Sequence, residues 1–346
     1  MKKKSALQFV RMVVTTALLV YVFHKSGLLS IQGWQDLFVT FSHANKNLLL
    51  ISVLMVPLID FVSSIKWYAL ARACNLRVSL GRLFAYYVVG GFFNLVLPSS
   101  IGGDVIRIHE LGRYTGRYAD SAAVVFVERF SGLAMLVFLA AIAVVVNWQM
   151  FNLPWLSAAL LVGVVGVAFV CWIVIDRRPF LFVERNFGRR FTFVASFLKK
   201  LEKFRTAVLV YKDKPGALWL AVFNSLLFYF LAVCNVWVSA LAFDESISFL
   251  SMLIAVPVIM FIMNLPFSIG GLGLMEFAYS FTLGLFGINP AVAISTALLM
   301  RLKTLLTAGM GGLLYPMVSE GTGSPAQFSK SIRRSYEDNL KTKAES

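Results

Sequence analysis

The sequence has little charge for its length, and its acidic residues are especially few. Only 14% of its 346 residues are charged, whereas 59% are hydrophobic. Soluble globular proteins usually carry about 25% charged residues. The composition therefore excludes an ordinary soluble enzyme and predicts an integral membrane protein. The 17 acidic residues stand against 32 Lys and Arg, which gives a net charge of +15, so the location of the basic residues needs an explanation.

Cysteine and histidine are also scarce. The three cysteines have no CxxC spacing, and the three histidines lie far apart. A disulfide framework or a zinc site requires closer or more regular spacing. We therefore expect no metal and no cofactor.

Long apolar stretches dominate the rest of the chain. A helix needs about 20 mostly apolar residues to span a bilayer. Six stretches qualify: 10–23, 48–65, 122–146, 155–175, 217–243 and 291–315. The first is short enough to be a signal peptide, but no small-residue cleavage site follows it. The sequence therefore predicts an all-α polytopic membrane protein with about six full transmembrane helices.

Two shorter apolar segments, 83–97 and 249–265, each end near an asparagine, a proline and a glycine pair. The first segment is preceded by Lys66, Arg72, Arg77 and Arg82 and followed by Arg107, Arg113 and Arg117, which indicates that both of its flanks are cytoplasmic. We therefore expect these segments to be re-entrant hairpins with a broken helix, which proteins tolerate where the backbone is covered. Eight spanning helices are the alternative.

The basic residues also predict the orientation. Loop 147–154 is uncharged, whereas residues 176–214 contain eleven Lys and Arg. By the positive-inside rule, both termini are expected to lie in the cytoplasm. We expect the membrane to be the cytoplasmic (inner) membrane of a prokaryote. The net positive charge then requires no nucleic acid. Loop 176–215 is either an interfacial helix or a solvated basic face, and the tail is expected to be disordered.

One seven-residue motif occurs twice. LPSSIGG at 97–103 recurs as LPFSIGG at 265–271, with six identities in seven positions. The flanking apolar stretches keep a similar spacing, and the charges indicate opposite entry sides. The sequence thus predicts an inverted-topology repeat, with a first membrane repeat at 1–150, a second at 151–317 and a tail at 318–346.

Broken helices at matching positions of inverted halves predict a transport site near the membrane midplane, because half-helix ends expose unpaired N–H groups that attract anions. Ionisable residues inside spans are costly, so they are expected to be functional or paired. The candidate substrate-binding or translocation residues are Asp60, Asn94, Pro98, Ser100, Gly102, Gly103, Asp104, Arg107, Glu128, Arg129, Asn264, Pro266, Ser268, Gly270, Gly271, Glu276, Arg301 and Lys303. A structural hinge and ion pairs that only fasten the bundle are the alternatives.

Four of these residues are expected to form a cationic pocket for a lipid phosphate. They are Arg107, Arg129, Arg301 and Lys303. The nearby carboxylates would balance the charge or carry a coupling proton. They are Asp60, Asp104, Glu128 and Glu276.

The strings LPSSIGGDVIRIHELGRY, AAVVFVERFSGLAML and LPFSIGGLGLMEFAY resemble the lysylphosphatidylglycerol synthase transmembrane-region family. The resemblance covers about residues 10–317. It implies a flippase-like membrane module. Two-part relatives add a cytosolic aminoacyltransferase domain, which we expect this chain to lack because it continues only some thirty residues past its last span.

The resemblance implies translocation of a phospholipid or of a lipid-linked substrate, such as a polyprenyl-phosphate lipid or a glycolipid. Two alternatives remain: a membrane-embedded enzyme or accessory of lipid or cell-surface glycan modification, and a small-solute transporter. We expect no catalytic residues. The expected partners are anionic or phosphate-bearing membrane lipids, with a second copy of the chain and a separate lipid-modifying enzyme as further candidates.

Overall fold

The computed structural model describes residues 30–96, 102–176, 204–243, 247–265 and 271–320, a few positions between 13 and 24, and residues 178 and 202. Most of the predicted span 10–23, most of loop 176–215 and the tail from 321 lie outside the described residues. The helices are α1 (Ile31–Ser42), α2 (Lys46–Ala73), α3 (Leu80–Val96), α4 (Gly102–Thr115), α5 (Tyr118–Val146), α6 (Trp148–Phe151), α7 (Pro154–Ile175), α8 (Pro215–Leu241), α9 (Phe249–Met263), α10 (Leu274–Leu285) and α11 (Pro290–Glu320).

Five of these helices are long and apolar enough to cross a membrane: α2, α5, α7, α8 and α11. They correspond to five of the six predicted spans. Helices are the natural outcome for such segments, because in lipid every backbone polar group must be satisfied within the protein. The predicted all-α polytopic fold is confirmed.

Helices α2 and α8 run antiparallel along the centre of the bundle. At one end the Asn45 N–H donates to the Ala242 carbonyl at 2.8 Å. At the other end the Tyr211 hydroxyl, just before α8, donates to the Leu70 carbonyl at 2.9 Å. The start of each helix therefore lies beside the end of the other.

The first hairpin consists of α3 and α4. The Arg82 guanidinium near the start of α3 lies 4.1 Å from the centre of the Tyr114 ring near the end of α4. The outer ends of the two helices therefore meet. The chain returns to the end of the bundle from which it entered, as expected of a re-entrant hairpin.

The second hairpin, α9 and α10, opens at the opposite end. The indole N–H of Trp237, near the end of α8, donates to the Ile247 carbonyl just before α9 at 3.0 Å. The Phe286 ring, just after α10, lies 6.0 Å from the Phe151 ring in the loop between α5 and α7. The two hairpins thus enter the bundle from opposite ends.

The helix packing repeats itself when the two halves are exchanged. The α2–α8 contact maps onto itself, α3–α4 maps onto α9–α10, and α4–α5 maps onto α10–α11. The α3–α11 contact likewise maps onto α9–α5. Such a pattern is typical of two homologous units joined about a pseudo-two-fold axis.

The outside of the bundle is apolar. Leu161 and Val162 on α7 are 64% and 71% exposed, and large exposed hydrophobic side chains also occur on α2, α5 and α8. In water such a surface would aggregate. It fits helices whose outer faces contact lipid tails.

Candidate functional site

Five charged side chains form one cluster between α2, α4 and α5. The Glu128 carboxylate lies 3.6 Å from Lys66 Nζ and 2.9 Å from Arg107 Nη2. The Asp104 carboxylate lies 3.1 Å from Arg107 Nη1 and 2.8 Å from Arg129 Nη2. We call these five residues the first-repeat cluster.

Arg107 is the centre of this cluster. Its side chain is 1% exposed and bridges Asp104 and Glu128. Its guanidinium also lies 4.2 Å from the centre of the Trp67 ring and 4.6 Å from that of Tyr87. Ring faces and carboxylates both favour a buried cation. Arg107 is therefore firmly held, in contrast to Arg129, whose side chain is 45% exposed.

Two glycines let the first hairpin close tightly enough to build the cluster. A Cβ on Gly103 would lie 2.0 Å from the Gly90 carbonyl oxygen, and a Cβ on Gly90 would lie 2.9 Å from the Arg107 side chain. Only glycine permits this approach of backbone to backbone. The Gly103 N–H also donates to the Asn94 side chain at 2.8 Å, so Asn94 satisfies a donor in the first turn of α4.

The second repeat carries a simpler cluster. Arg301 binds the Glu276 carboxylate through two hydrogen bonds, Nε to Oε1 at 2.9 Å and Nη2 to Oε2 at 3.0 Å. Arg301 Nη2 also donates to the Gly271 carbonyl at 2.8 Å. Glu276 in turn accepts from the Gly273 N–H at 2.9 Å. This pair therefore fastens the glycine-rich turn to α11.

The two acid–arginine pairs occupy equivalent places. Asp104 with Arg129 and Glu276 with Arg301 are each 25 residues apart, and the second pair follows the first by 172 residues (276 − 104 and 301 − 129). Each acidic residue is the third of its helix. The motif copies are only 168 residues apart, so α10 begins later than α4, relative to its glycine pair, by four residues. Positive φ angles at Gly271 and Gly273 accommodate this later start.

The sequence suggested that the helix starts after the motifs would leave N–H groups free to attract an anion. The structure shows a different use of two of these groups. The Gly103 N–H is occupied by Asn94 and the Gly273 N–H by Glu276. Asp104 and Glu276 also lie in the first turns of their helices, where a carboxylate balances the positive end of the helix dipole.

A cavity of about 350 Å³ lies between the two repeats. Its polar lining comes from both halves and includes Asp60, Asn94, Arg107, Arg129, Asn235 and Lys303. The rest of the lining is largely apolar, with methionines from α9, α10 and α11. A mostly apolar space with a few convergent polar groups is the usual form of a ligand site.

Lys303 and Asp60 are the two charged residues of the cavity that belong to neither cluster. Lys303 is 2% exposed, and its Nζ donates to Asn235 Oδ1 and Ser239 Oγ, both at 2.7 Å. No described residue forms an ion pair with Lys303 or with the Asp60 carboxylate. Lys303 is therefore a buried cation held by neutral acceptors.

The structure brings together most, but not all, of the predicted site residues. Asp104, Arg107, Glu128 and Arg129 form one network, whereas Glu276 and Arg301 form a separate pair away from the cavity lining. The expected pocket of four cations therefore contains three of them among the described residues. Asn264 lines a smaller neighbouring pocket, and Gly102 begins α4. The predicted residues Pro98, Ser100, Pro266, Ser268 and Gly270 lie outside the described residues.

Sequence reasoning misplaced Lys66. It was interpreted as a cytoplasmic residue flanking the first hairpin, but α2 continues to Ala73 and Lys66 is 4% exposed beside Glu128. A helix through 66–73 keeps Lys66 on a face that packs against α5. Glu128 is followed directly by Arg129, so the local sequence does not indicate that Glu128 pairs with a cation on another helix. The sequence does not single out Asn235 and Ser239, because a neutral polar side chain in an apolar span does not by itself indicate a functional site.

No three His, Cys, Asp or Glu side chains among the described residues are grouped so that they could hold a metal ion. The site chemistry is that of buried cations, carboxylates and amides. The cations and amide N–H groups are of the kind that can bind an anion, and the carboxylates offset part of the positive charge.

Comparison with known proteins identifies relatives. The sequence matches the family described as the lysylphosphatidylglycerol synthase TM region over residues 8–312. It is also similar to the UPF0104 membrane protein of Methanothermobacter thermautotrophicus, with 26% identity over 293 residues, covering 76% of this chain and 84% of the relative. No solved structure matches the chain. The family match spans most of the sequence, and the chain therefore belongs to the lysylphosphatidylglycerol synthase transmembrane-region family.

Proposed function

We propose that this protein moves a phospholipid or a lipid-linked substrate, such as a polyprenyl-phosphate lipid or a glycolipid, between the two leaflets of a membrane. In this proposal both termini face the cytoplasm, and the membrane is the cytoplasmic membrane of a prokaryote. The headgroup passes through the central cavity while the acyl chains stay in the bilayer.

The observation that carries the proposal is the charged cavity between the two repeats. Arg107, Arg129 and Lys303 line a space inside membrane-spanning helices. Insertion scales give a cost of about 2.5–3.5 kcal/mol for a charge at the centre of a span. A cluster that only fastened helices would not need a cavity beside it. The cavity supports a role in holding an anionic group within the membrane.

The two repeat-related helix pairs, α3–α11 and α9–α5, differ in their packing, which supports alternating access. Helices α3 and α11 pack closely, since a Cβ on Gly311 would lie 2.3 Å from the Val88 carbonyl oxygen. On the related side, α5 and α9 flank an open groove of about 600 Å³, lined by residues such as Ile142 and Leu253. One helix pair is closely packed and the other flanks a groove, and in this proposal an exchange of the two arrangements would expose the cavity alternately to opposite sides.

The proposal assigns no catalytic role to the charged residues. The two oxygens of Glu128 pair with Lys66 and Arg107, and a single oxygen of Asp104 pairs with both Arg107 and Arg129. The partners of these carboxylates among the described residues are therefore cations and not nucleophiles. General acid–base catalysis needs a carboxyl group within reach of the reacting proton. The geometry favours binding and transport over chemistry.

Leaflet exchange in vesicles tests the proposal. We would reconstitute the protein and measure how fast a fluorescent phosphatidylglycerol moves from the inner leaflet to the outer, where a membrane-impermeant reductant quenches it. Wild-type protein should accelerate exchange above protein-free vesicles. Arg129→Gln should lower the rate because it removes an exposed cation of the cavity, whereas Arg77→Gln, the same change at an exposed site outside it, should not.

A wild-type rate equal to that of protein-free vesicles, for phosphatidylglycerol and for polyprenyl-phosphate lipids alike, would contradict the proposal. Equal rates in Arg129→Gln and wild type would contradict the role of the cavity.

A further inference from the structure

The first-repeat cluster has one positive charge more than its acidic residues balance. Lys66, Arg107 and Arg129 contribute three positive charges, and Asp104 and Glu128 contribute two negative ones. The pair Glu276–Arg301 is neutral by comparison. An unbalanced charge inside a membrane is costly. The cluster therefore favours a ligand that brings a single negative charge.

A small polar pocket lies directly against this cluster. It has a volume of about 190 Å³ and is lined by residues that include Lys66, Glu128, Arg129, Ser225 and Asn264. Arg129 lines both this pocket and the central cavity, so the two spaces adjoin at its side chain.

Donors for an anion are present in this pocket. Lys66 Nζ donates to Ser225 Oγ at 3.2 Å and pairs with Glu128, which leaves the third ammonium hydrogen. Arg129 directs Nε and Nη2 to Asp104, and its Nη1 has no partner among the described residues. An ammonium and a guanidinium on one pocket provide the donors that bind phosphate oxygens well.

An apolar groove lies on the opposite side of Tyr229 from the polar pocket. The groove between α5, α8 and α9 has a volume of about 600 Å³, and its lining is almost entirely hydrocarbon, including Leu139, Phe223, Phe230 and Leu253. Phe223 is 66% exposed and Leu253 43%, so the groove opens to the outside of the bundle. At these positions in spanning helices, the outside is lipid.

Tyr229 forms the wall between the two spaces. It lines both the polar pocket and the apolar groove. Its hydroxyl donates to the Gly132 carbonyl on α5 at 2.9 Å, which holds the ring between α8 and α5. A rotation of this one side chain would join a cationic pocket to a groove of hydrocarbon.

We propose that this pocket and groove together bind one phospholipid whose phosphodiester carries a single negative charge. The phosphate lies between Lys66 and Arg129, and one acyl chain passes Tyr229 and lies in the groove between α5, α8 and α9. The site rests on the proposed function, for which it is the lateral entrance. It commits to a membrane lipid because a free phosphate ester would leave the groove empty.

Photo-labelling tests the site. The purified full chain would be incubated in lipid nanodiscs with phosphatidylglycerol that carries a diazirine in one acyl chain, irradiated and mapped by peptide mass spectrometry. Label should concentrate on groove residues of α5, α8 and α9. Phosphatidylcholine with the same labelled chain should label the groove less, because its choline cation offsets the phosphate.

Matched variants separate specific binding from contact with bulk lipid. Leu253→Trp fills the groove and should reduce labelling there, whereas Leu161→Trp, an equally apolar change on the exposed face of α7, should not. Arg129→Gln should reduce labelling by phosphatidylglycerol more than by phosphatidylcholine. An excess of sn-glycerol 3-phosphate should not displace the label.

Label spread evenly over α7 and the groove, or unchanged by Leu253→Trp and Arg129→Gln, would overturn the site. Displacement by sn-glycerol 3-phosphate would overturn the assignment to a lipid. These results are independent of leaflet exchange: a wild-type exchange rate without groove labelling refutes only the site, and groove labelling without exchange refutes only the transport function.

Discussion

Glu128 lies between two buried cations, and its two carboxylate oxygens are used separately. Oε1 faces Lys66 and Oε2 faces Arg107, and all three side chains are at most 6% exposed. Water therefore contributes little to the solvation of this group. Removal of the carboxylate charge would leave Lys66 with only neutral acceptors such as Ser225.

We therefore predict that Glu128→Gln destabilises the protein by about 3–5 kcal/mol, the range found when one partner of a buried ion pair is removed. The double variant Lys66→Met/Glu128→Gln should recover part of this loss because it removes the unpaired cation as well. Asp120→Asn, which breaks the exposed pair with Arg117, should change stability by about 1 kcal/mol or less. Thermal unfolding in detergent measures all three. A double variant no more stable than Glu128→Gln would contradict the assigned pairing.

At the residue scale the sequence identifies the charged residues of the site more accurately than it identifies their partners. Glu128 and Arg129 stand out because they interrupt an apolar stretch, and Asp104 and Arg107 because they closely follow the first glycine pair. Lys66 does not stand out, because it lies just after the apolar stretch 48–65. It is buried only because α2 continues past that stretch to Ala73. Cross-repeat contacts such as Lys303 with Asn235 depend on the packing of helices, which spacing along the chain does not determine.

At the element scale the two hairpins explain why the repeats are not identical. In the second repeat α10 begins four residues later, relative to its glycine pair, than α4 does in the first, with positive φ at two glycines. The first repeat instead fits α4 against α3 through the Gly103 and Gly90 contact. The sequence predicts both hairpins and their opposite entry. The later start of α10 is visible only when helix starts are compared, since the motif copies align without a gap.

The α3–α11 contact is the closed side of the cavity, and the proposal requires it to open during transport. The rings of Phe93 on α3 and Tyr315 on α11 are 5.0 Å apart. With Cys74, Cys171 and Cys234 replaced by alanine, Phe93→Cys/Tyr315→Cys joined by a short reducible bifunctional thiol reagent should stop leaflet exchange. Reduction should restore it.

A cross-link within one repeat is the matched control. The rings of Phe61 on α2 and Phe84 on α3 are 5.9 Å apart, and Phe61→Cys/Phe84→Cys treated in the same way should leave exchange unchanged, because these helices belong to one repeat. Exchange that continues at the uncross-linked rate after α3 and α11 are joined would exclude the opening of this side.

At the scale of the whole molecule, the proposed function depends on the central cavity. Two repeats of opposite orientation enclose a cavity of about 350 Å³ with cations from both halves, and an apolar outer surface faces lipid. The sequence predicts the fold class, five of the spans and the duplication, because composition and periodicity determine them. The sequence also predicts a cationic pocket, but not its lining: Arg301 pairs with Glu276 instead, and neutral residues such as Asn235 reach the cavity through helix packing.

Blocking this cavity tests the central claim most directly. Gly91 lines the cavity, and a Cβ added there has no neighbouring atom within 4 Å, so the Cβ of Gly91→Phe meets no clash and its ring should fill the cavity. Gly166→Phe on α7 is the matched control, because a Cβ at Gly166 also meets nothing within 4 Å and this glycine does not line the cavity. The measurement is the rate of phosphatidylglycerol exchange between leaflets, at equal thermal stability of the variants. The account predicts that Gly91→Phe lowers the rate to that of protein-free vesicles and that Gly166→Phe keeps the wild-type rate; a wild-type rate in Gly91→Phe would contradict it.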